Sequence, residues 1–326
     1  MTVLVTGAAG FVGMHVSKVL LASGEKVVGI DNLNSYYDIG LKHARLQQLE
    51  EYDAFSFIKQ DISDKEGVFA ALAKFPDITK VVHLAAQAGV RYSLDHPFEY
   101  TESNITGFLT ILEYCRQLDS LEHLVFASSS SVYGGNKELP YSVDQSVDKP
   151  VSLYAATKKA NELMAHSYAH LYGIPLTGLR FFTVYGPWGR PDMAYWTFTE
   201  KLLNGDTLPI FNNGDMKRDF TYIDDIVSGV VALLNNPPIR NNETAPYRVY
   251  NIGNHRSEPL LSLVKALEGS LGVKANLKML PMQSGDVKET FADIDPIRRD
   301  VGYEPTTSLQ EGIPKFVEWY KSYKKG

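Results

Sequence analysis

Residues 2–13 have the sequence TVLVTGAAGFVG, an apolar run that ends in a glycine-rich turn. Gly7, Gly10 and Gly13 lie between this run, which predicts a strand, and a helical pattern that begins at Phe11. At this spacing the first glycine allows a tight turn, the second lets the backbone approach a pyrophosphate, and the third lets helix and strand pack closely. Because the start of a helix presents free N–H groups and a favourable dipole to anions, we expect a dinucleotide to bind at this turn.

Apolar runs of strand length recur through residues 2–181, separated by segments long enough for helices. The runs are Thr2–Thr6, Lys26–Ile30, Phe55–Ile58, Lys80–Leu84, His123–Ala127 and Leu176–Phe181. Strands that alternate with helices imply right-handed crossovers and a parallel sheet. The sequence therefore predicts an α/β fold with a doubly wound parallel sheet of the Rossmann type.

The alternation breaks after Phe182, where glycine, proline and polar residues dominate. One further helix, Asp224–Leu234, and one further apolar run, Arg248–Ile252, resume it. We therefore predict a cofactor-binding domain and a smaller, interleaved C-terminal substrate domain. The first covers residues 1–182, with 219–254 returning to it, and the second covers 183–218 and 255–326.

A carboxylate closes the second apolar run, since Asp31 directly follows Ile30. A carboxylate at this place accepts hydrogen bonds from a ribose diol and repels a 2′-phosphate, which favours NAD over NADP. Asp61 and Ile62 follow the third run and are candidates for the adenine end of the cofactor. For Asp61, a helix N-cap is an equally good interpretation.

Tyr154 and Lys158 are one turn apart on the same face of a helix predicted over Leu153–Tyr172. A phenol with its ordinary pKa near 10 is a poor base at pH 7. A lysine ammonium and a cationic nicotinamide would both favour the phenolate, so we predict that Tyr154 acts as a base. The alternative is a surface tyrosine beside a solvated lysine.

The same spacing occurs twice more, at Tyr133/Lys137 and Tyr320/Lys324. Gly134 and Gly135 disfavour a helix in the first of these pairs, and the second lies in the charged C-terminal tail. Only Tyr154 opens a long predicted helix that follows a strand and a serine-rich loop.

The bulk composition limits the classes of function. The formal net charge of −6 gives no electrostatic footprint for nucleic acid, and no stretch reaches the roughly 20 apolar residues of a membrane span. The single cysteine, Cys115, suits a reducing compartment and a buried structural role. A strand that begins at Thr2 leaves no room for a signal peptide, so we expect a cytoplasmic protein.

The eight histidines show no spacing typical of metal ligands, and we expect no metal; His83, at a strand end, is interpreted as structural.

Two predicted helices, Phe98–Cys115 and Leu153–Tyr172, carry apolar residues at helical spacing. Packing against the core explains most of these positions. A two-fold interface formed by the two helices explains them as well, and the sequence does not separate the two interpretations.

These features together resemble the extended short-chain dehydrogenase/reductases over essentially the whole chain. Within that group the chain resembles nucleotide-sugar 4-epimerases, and residues 181–194, FFTVYGPWGRPDMA, are similar to the UDP-glucuronate 4-epimerase family. Shorter matching segments are DNLN at 31–34, HLAAQAGVR at 83–91, RDF at 218–220 and GDV at 285–287. The resemblance adds further candidates for NAD binding, namely Phe11, Asn32, Leu84, Ala85, Ala86 and Asn104.

The resemblance also implies a reaction cycle. Tyr154 takes the proton from the sugar 4-hydroxyl while C4 gives a hydride to NAD, and Ser129 hydrogen-bonds the reacting oxygen. The 4-keto sugar turns over in the site and the hydride returns to its opposite face. Lys158 also holds the nicotinamide ribose, and Asn104 orients the backbone on the cofactor side.

The fate of the ketone depends on the residue before Val132-Tyr133-Gly134. UDP-glucuronate decarboxylases and 4,6-dehydratases typically carry a glutamate there, whereas this chain has Ser131 preceded by Ser130. Because a 4-keto uronic acid is a β-keto acid, an epimerase must hold its carboxylate away from the geometry of decarboxylation. Ser130, Ser131 and Thr183 are the candidates for this clamp; ordinary loop hydrogen bonds explain the two serines equally well. Arg190 is a candidate for the carboxylate, the diphosphate or gating of the sugar.

The diphosphate contacts also come from the resemblance. Arg218 matches the family's diphosphate-binding arginine, and Asp286 matches a substrate-binding aspartate. Three residues before Asp286, UDP-glucose epimerases often carry a second arginine, but this chain has Gln283. Arg298 and Arg91 are possible replacements.

The function expected from the resemblance is NAD-dependent 4-epimerisation of UDP-glucuronate to UDP-galacturonate, a precursor of cell-surface polysaccharides. The partners expected are a UDP-sugar and a second copy of the chain, with no nucleic acid and no membrane. Alternatives within enzymes are a UDP-glucose 4-epimerase and a UDP-glucuronate decarboxylase. A non-catalytic regulator that senses NAD is an alternative of a different class, and the intact Ser129, Tyr154 and Lys158 disfavour it.

Overall fold

The computed structural model describes residues 1–241, 244–282 and 287–325. The chain divides into two compact units. Unit 1 comprises Met1–Gly134, Ser146–Arg180 and Val227–Tyr250, and unit 2 comprises Gly135–Gln145, Phe181–Ile226 and Asn251–Gly326. The assignment of a cofactor to one predicted domain and of a sugar nucleotide to the other stays a prediction.

The strands follow in chain order. They are β1 Thr2–Thr6, β2 Lys26–Asp31, β3 Phe55–Lys59, β4 Ile78–His83, β5 His123–Ser129, β6 Leu176–Phe181, β7 Thr183–Tyr185, β8 Thr207–Ile210, β9 Lys217–Arg218, β10 Phe220–Tyr222, β11 Tyr247–Ile252, β12 Glu258–Pro259 and β13 Asn276–Met279.

The helices comprise twelve α-helices and three short turns of other types among the described residues. The α-helices are α1 Phe11–Ala22, α2 Ile39–Glu50, α3 Lys65–Leu72, α4 Tyr92–Asp95, α5 Pro97–Tyr100, α6 Gly107–Arg116, α7 Leu153–Tyr172, α8 Ala194–Asn204, α9 Ile223–Leu234, α10 Leu260–Leu271, α11 Asp295–Val301 and α12 Leu309–Tyr323. Thr101–Thr106 is a π-helical turn, and Ser130–Tyr133 and Phe211–Gly214 are 3₁₀ turns.

Seven strands form one parallel sheet in the order β11-β6-β5-β4-β1-β2-β3. Strand β1 lies between β2 and β4, with Thr6 opposite Ile30 on one side and His83 on the other. The strand order reverses at β1, and the carboxyl ends of parallel strands at such a point are where α/β sheets bind ligands. The predicted doubly wound α/β fold is therefore confirmed.

Strand β1 is buried at all five positions, so its apolar run packs against helices on both faces of the sheet. Helix α7 covers one face and has the predicted bounds. Ser152 caps its start by accepting a hydrogen bond from the backbone N–H of Ala155, and Gly173 ends it with φ of +70°. Burial of Ala165 and Ala169 in the core fixes this helix beside β5.

The prediction of one continuous α-helix over Phe98–Cys115 is wrong. The chain forms α5, the π-helical turn Thr101–Thr106 and then α6. The side-chain amide of Asn161 donates to the carbonyl of Asn104 inside the π turn (2.6 Å), and the Asn104 side chain bonds outside the helix. These contacts compete with the regular i→i+4 pattern and favour a π bulge, a feature that recurs at functional sites.

The described residues of unit 2 form three small two-stranded ladders. Strands β7 and β10 are parallel, β8 and β13 are parallel, and β9 and β12 are antiparallel. An aromatic cluster packs α12 against α8. Its members are Tyr195, Trp196, Phe316, Trp319 and Tyr320. In the described part of the chain, no helix is both long and apolar enough to cross a membrane.

Candidate active site

The glycine turn of unit 1 tolerates no side chain at its two critical positions. Gly7 has φ of +73°, and a Cβ there would lie 2.8 Å from the backbone nitrogen of Ala85. A Cβ on Gly13 would lie 2.0 Å from the Gly7 carbonyl oxygen. The turn is closed by hydrogen bonds from the Gly7 N–H to the Ile30 carbonyl (2.7 Å) and from the Gly10 N–H to the Gly7 carbonyl (2.9 Å). Bare backbone therefore forms this surface, as a cofactor diphosphate requires.

Helix α1 begins at this turn without a side-chain cap. Its N-cap is Gly10, and its first turn carries no acidic residue. Phe11, the first helical residue, is buried and packs edge-on against His15. Because no side chain caps the start of α1, its N–H groups suit an anionic ligand such as a diphosphate.

Asp31 lies at the end of β2 and is 8% exposed. Its carboxylate accepts hydrogen bonds from the backbone N–H of Ala9 (3.2 Å) and of Leu33 (2.9 Å). The Lys42 ammonium lies 3.9 Å away; burial lowers the pKa of Lys42, although Asp31 opposes this effect. Asp31 is thus held rigidly between the glycine turn and the next loop, where a carboxylate can accept from a ribose diol.

Asp61 is part of a turn after β3. Its carboxylate accepts from the Asn32 side chain (2.7 Å) and from both the backbone and the hydroxyl of Ser63 (2.9 and 2.7 Å). Burial opposes ionisation of Asp61, but these hydrogen bonds prevail and its pKa is lowered. The N-cap interpretation of Asp61 is wrong, because Asp64 caps helix α3. Ile62 is 4% exposed and belongs to the core.

The loop after β4 runs along the carboxyl end of the sheet. The N–H of Leu84 donates to the Thr6 carbonyl, and the N–H of Ala85 to the Thr6 hydroxyl, both at 3.2 Å. Two residues after Ala85, beyond Ala86, Gln87 exchanges hydrogen bonds of 2.8 and 3.0 Å with the side chain of Asn104. The Asn104 amide thus holds the loop in the way a neighbouring strand would.

His83 lies at the end of β4, where its Nδ1 hydrogen-bonds the Thr6 hydroxyl at 2.8 Å. Burial, together with the nearby Lys158, lowers the pKa of His83 to about 3. The imidazole therefore stays neutral at physiological pH and has a structural hydrogen bond. Across the described residues, no group of histidine, cysteine and acidic side chains is arranged to hold a metal ion.

Ser129 is the last residue of β5 and the N-cap of the 3₁₀ turn Ser130–Tyr133. Its hydroxyl oxygen accepts from the backbone N–H of Ser131 at 3.1 Å. A hydroxyl that accepts one hydrogen bond still has its own proton to donate. The serine segment is thus folded on itself at the end of a central strand.

Tyr154 and Lys158 lie in the first two turns of α7. The buried Lys158 ammonium donates to the Ala127 carbonyl at 2.9 Å, and burial lowers the pKa of Lys158 to about 8. The Tyr154 ring packs edge-on against Tyr100 at 6.0 Å, and its backbone N–H donates to the Ser93 hydroxyl at 3.4 Å. Unit 1 therefore brings a phenol, a buried lysine and the serine segment to the carboxyl end of one sheet.

Unit 1 also contains a buried ion pair that is not among the predicted site residues. Arg180 and Glu162, each 3% exposed, form a bidentate pair at 2.8 and 2.9 Å. Two signals were present: Arg180 interrupts an otherwise apolar strand, and Glu162 stands one turn after Lys158 on the same face of α7. A charge inside a buried strand indicates a partner of opposite charge.

Three predicted substrate residues lie in unit 2. Thr183 opens β7 and pairs with Phe220 of β10. Arg218 donates through Nη1 to the backbone carbonyls of Lys217 (2.8 Å) and Lys288 (3.2 Å). Arg190 forms a bidentate pair with Asp192, at 3.0 and 2.5 Å. The two arginine side chains thus have local partners, and the predicted substrate roles of all three residues stay predictions.

Asp219, next to Arg218, is fully buried. It accepts from the backbone N–H of Asn254 (2.6 Å) and Ala292 (3.1 Å) and from the Thr221 hydroxyl (3.0 Å). Burial raises the pKa of Asp219 to about 6 in spite of these donors. The carboxylate joins three segments around the strand that carries Arg218.

Asp286 and Gln283 lie outside the described residues. Of the two possible replacements for the missing arginine, Arg298 forms ion pairs with Glu304 (2.6 Å) and Asp295 (3.1 Å). Arg91 is the N-cap residue of α4. Neither position gives a reason to assign the second diphosphate contact.

The chain is similar to known proteins over nearly its whole length. UDP-glucuronate 4-epimerase 4 of Arabidopsis thaliana is 51% identical over 335 residues, which are 100% of this chain and 76% of that protein. Protein CapI of Staphylococcus aureus is 47% identical, and the alignment covers 100% of both chains. The crystal structure of UDP-glucuronic acid 4-epimerase from Bacillus cereus, in complex with UDP-glucuronic acid and NAD, superposes with a TM-score of 0.90 at 37% identity, covering 99% of this chain and 100% of that one.

The family model for the NAD dependent epimerase/dehydratase family matches residues 3–253. The match begins inside β1 and ends just after β11, so it spans every strand of the seven-stranded sheet. With the relatives above aligned over the full chain, this protein belongs to the NAD dependent epimerase/dehydratase family.

Proposed function

We propose that this protein is an NAD-dependent isomerase that inverts C4 of UDP-glucuronate to give UDP-galacturonate. The observation that carries the proposal is the serine pair Ser130 and Ser131, which occupies a 3₁₀ turn directly after Ser129, where decarboxylating relatives typically carry a glutamate. The similarity to UDP-glucuronate 4-epimerases at about 50% identity and full coverage of this chain supports it.

The residues of unit 1 fit NAD. The bare backbone at Gly7, Gly10 and Gly13 and the uncapped start of α1 suit a diphosphate, and the fixed carboxylate of Asp31 suits a ribose diol. Bound there, NAD supplies the acceptor for the C4 hydride and its later return. Asn32, Asp61, Ile62 and the Leu84–Ala86 loop are the other proposed contacts.

Tyr154 is the proposed base. Its phenolate oxygen takes the proton of the sugar 4-hydroxyl. It later gives a proton back to the oxygen on C4 when the ketone is reduced. The Lys158 ammonium, one helical turn after Tyr154 on α7, would favour the phenolate, and its burial makes the charge act more strongly than in water. Ser129 donates its hydroxyl proton to the reacting oxygen.

The carboxylate of a uronic acid must be held during the ketone stage, because a β-keto acid loses CO₂ when its breaking bond aligns with the carbonyl. Hydroxyl donors fix orientation without supplying an acid. Ser130 and Ser131 are the proposed donors, together with Thr183. Arg190, Arg218 and Asp286 are proposed substrate contacts, and an arginine beside a diphosphate or carboxylate gains charge-assisted hydrogen bonds.

A homodimer belongs to the same proposal. Leu109 on α6 and Leu163 and Leu171 on α7 are 40%, 58% and 65% exposed. Exposed leucines on two neighbouring helices suit a two-fold interface in which each copy contributes the same pair. Sedimentation of the wild type and of Leu163→Glu tests this: a dimer that Leu163→Glu dissociates supports the interface.

A cytoplasmic location is also proposed, since the single cysteine is free and buried.

The test is to incubate the purified protein with UDP-glucuronate, without added cofactor, and to identify products by NMR. UDP-galacturonate is the expected product. UDP-xylose or its 4-keto precursor would identify a decarboxylase and contradict the serine-for-glutamate argument. Reaction with UDP-glucose alone would identify a UDP-glucose 4-epimerase, and bound NAD without turnover of either sugar would support a non-catalytic regulator.

A further inference from the structure

A buried polar cluster lies directly behind the serine segment of unit 1. We name Ser128, Tyr133, Glu162 and Arg180 the Glu162 cluster; each is at most 3% exposed. Glu162 accepts from the Ser128 hydroxyl (2.7 Å) and from the Arg180 guanidinium (2.8 and 2.9 Å), and Lys159 lies 3.6 Å from it.

The second half of the cluster is the contact of Arg180 with Tyr133. The Arg180 Nη1 donates to the Tyr133 hydroxyl at 3.0 Å, and the guanidinium carbon lies 4.9 Å from the centre of the tyrosine ring. Tyr133 is the last residue of the 3₁₀ turn that carries Ser130 and Ser131. One guanidinium therefore bonds to helix α7 through Glu162 and to the end of the serine turn through Tyr133.

The members of the Glu162 cluster adjoin three of the proposed functional segments along the chain. Ser128 directly precedes Ser129, Tyr133 ends the turn of Ser130 and Ser131, and Glu162 lies one helical turn after Lys158. Stability alone is a weak reason for such a cluster, because well-packed apolar residues of equal volume are often as stabilising as a buried ion pair. Apolar residues lack directional hydrogen bonds. The hydrogen bonds of the cluster fix the positions of the end of β5, the serine turn and α7 relative to one another.

We propose that Arg180 and Tyr133 are positioning residues, which hold the serine turn Ser130–Tyr133 in register with the α7 turn of Tyr154 and Lys158. This inference rests on the proposed function for its chemical consequence. A loosened turn lets the substrate carboxylate rotate into line with the C4 ketone. The C5–C6 bond then breaks, CO₂ leaves, and the electron pair forms the enolate of the C4 ketone. The enolate takes a proton from water to give a 4-keto pentose.

The most selective variant is Tyr133→Phe, which removes one hydroxyl and keeps the ring beneath the guanidinium. Tyr247→Phe is the matched control, because the Tyr247 hydroxyl donates to the Glu162 backbone carbonyl at 3.0 Å, which belongs to α7 and not to the serine turn. Tyr133→Phe removes the hydrogen bond from Arg180, and Tyr247→Phe removes the hydrogen bond to the Glu162 carbonyl. Only Tyr133→Phe releases the serine turn.

Two measurements are made on the protein as purified. With UDP-glucuronate, Tyr133→Phe should raise the fraction of decarboxylated sugar nucleotide by about fivefold or more, while Tyr247→Phe leaves this fraction at the wild-type value. Independently of substrate, amide hydrogen exchange across residues 129–134 should be faster in Tyr133→Phe by about tenfold and unchanged in Tyr247→Phe.

An unchanged exchange rate in residues 129–134 of Tyr133→Phe would overturn the positioning role, whatever the products are. Faster exchange with no rise in decarboxylated product would overturn its link to the carboxylate. A wild type that makes no UDP-galacturonate would refute the proposed function, and the exchange comparison would still decide the positioning role. Should Tyr133→Phe not fold, Arg180→Lys is used with the same two readouts. A lysine keeps the positive charge but lacks the planar guanidinium that bonds Glu162 and Tyr133 together.

Discussion

The side-chain amide of Asn104 donates a hydrogen bond of 3.0 Å to the hydroxyl of Thr157, which itself donates to the backbone carbonyl of Tyr154 at 2.8 Å. The π-helical turn is thereby joined to the first turns of α7. Asn104 also holds Gln87 in the loop after β4. A single amide thus connects the loop proposed to contact NAD with the helix that carries the proposed base.

Replacing Asn104 tests this junction. Asn104→Ala leaves the buried N–H and C=O of Gln87 and the Thr157 hydroxyl without this partner, and we expect a loss of about 2–4 kcal/mol in the free energy of unfolding. Urea denaturation measures it. The exposed Asn276, whose amide bonds Thr207, provides the control: Asn276→Ala should cost less than about 0.5 kcal/mol. Equal effects at the two sites would contradict the assignment.

The role of the phenol is tested by removing one oxygen. Tyr154→Phe should lower turnover by about a thousandfold or more, because it removes the proposed base, while NAD remains bound. Tyr320→Phe is the matched control, since Tyr320 belongs to the same Tyr-x-x-x-Lys spacing but hydrogen-bonds Glu200 in unit 2. Turnover is measured by NMR and bound NAD by its absorbance after denaturation. Appreciable turnover in Tyr154→Phe would disprove the base assignment.

The buried lysine makes stability depend on pH with a defined sign. The pKa of Lys158 is about 8 in the folded chain against 10.5 for an ordinary lysine, so between these values the unfolded chain binds more protons. The free energy of unfolding therefore rises with pH in that window, and at pH 7 the burial costs on the order of 3 kcal/mol. In nucleotide-free protein, Lys158→Met should gain most over wild type at pH 7, and the difference should shrink above about pH 8. A difference independent of pH would refute the shifted pKa.

Asp31 is expected to set the choice between NAD and NADP. Asp31→Ser removes the charge that repels a 2′-phosphate and leaves the nearby Lys42 ammonium, so the ratio of NADP to NAD affinity should rise about tenfold or more. Calorimetric titration with each nucleotide gives the ratio. Asp53→Ser changes the net charge equally at an exposed position and should leave the ratio unaltered. A rise in both variants would indicate a general charge effect.

The single thiol reports on the integrity of the core. Cys115 is 1% exposed, and burial raises its pKa far above that of an ordinary thiol. A thiol that is both inaccessible and protonated reacts slowly, so a disulfide reagent at pH 8 should modify no thiol in the native protein and one in denaturant. Rapid stoichiometric reaction of the folded protein would show that α6 opens.

The sequence predicted the sheet well because its signal is local. The six apolar runs between residues 2 and 181 match β1 to β6 closely, and the run Arg248–Ile252 lies within β11. The predicted helix Leu153–Tyr172 coincides with α7, and in the structure Ser152 caps its start and Gly173 ends it. The short ladders of unit 2 could not be predicted: strands of two to four residues have no periodicity, and residues far apart in the chain stabilise them.

The residues of the candidate site likewise fall into those in local motifs and those that depend on long-range contacts. Gly7, Asp31 and Tyr154 stand in motifs whose spacing is readable, although their roles stay predictions. The π turn at Asn104 and the pair of Glu162 with Arg180 depend on contacts between segments 18 to 57 residues apart, for which one sequence offers no pattern. Long-range hydrogen bonding, not local preference, decides these features.

The outer position of β11 has a consequence for synthesis of the chain on the ribosome. Its neighbour β6 ends at Phe181, and β11 begins only at Tyr247, so residues 182–246 must emerge before that flank of the sheet is covered. At about 5–20 residues per second this interval lasts roughly 3 to 13 s. A nascent chain paused there presents the unpaired outer edge of β6, which is a template for pairing with another chain, so chaperone protection is useful during this stretch of translation.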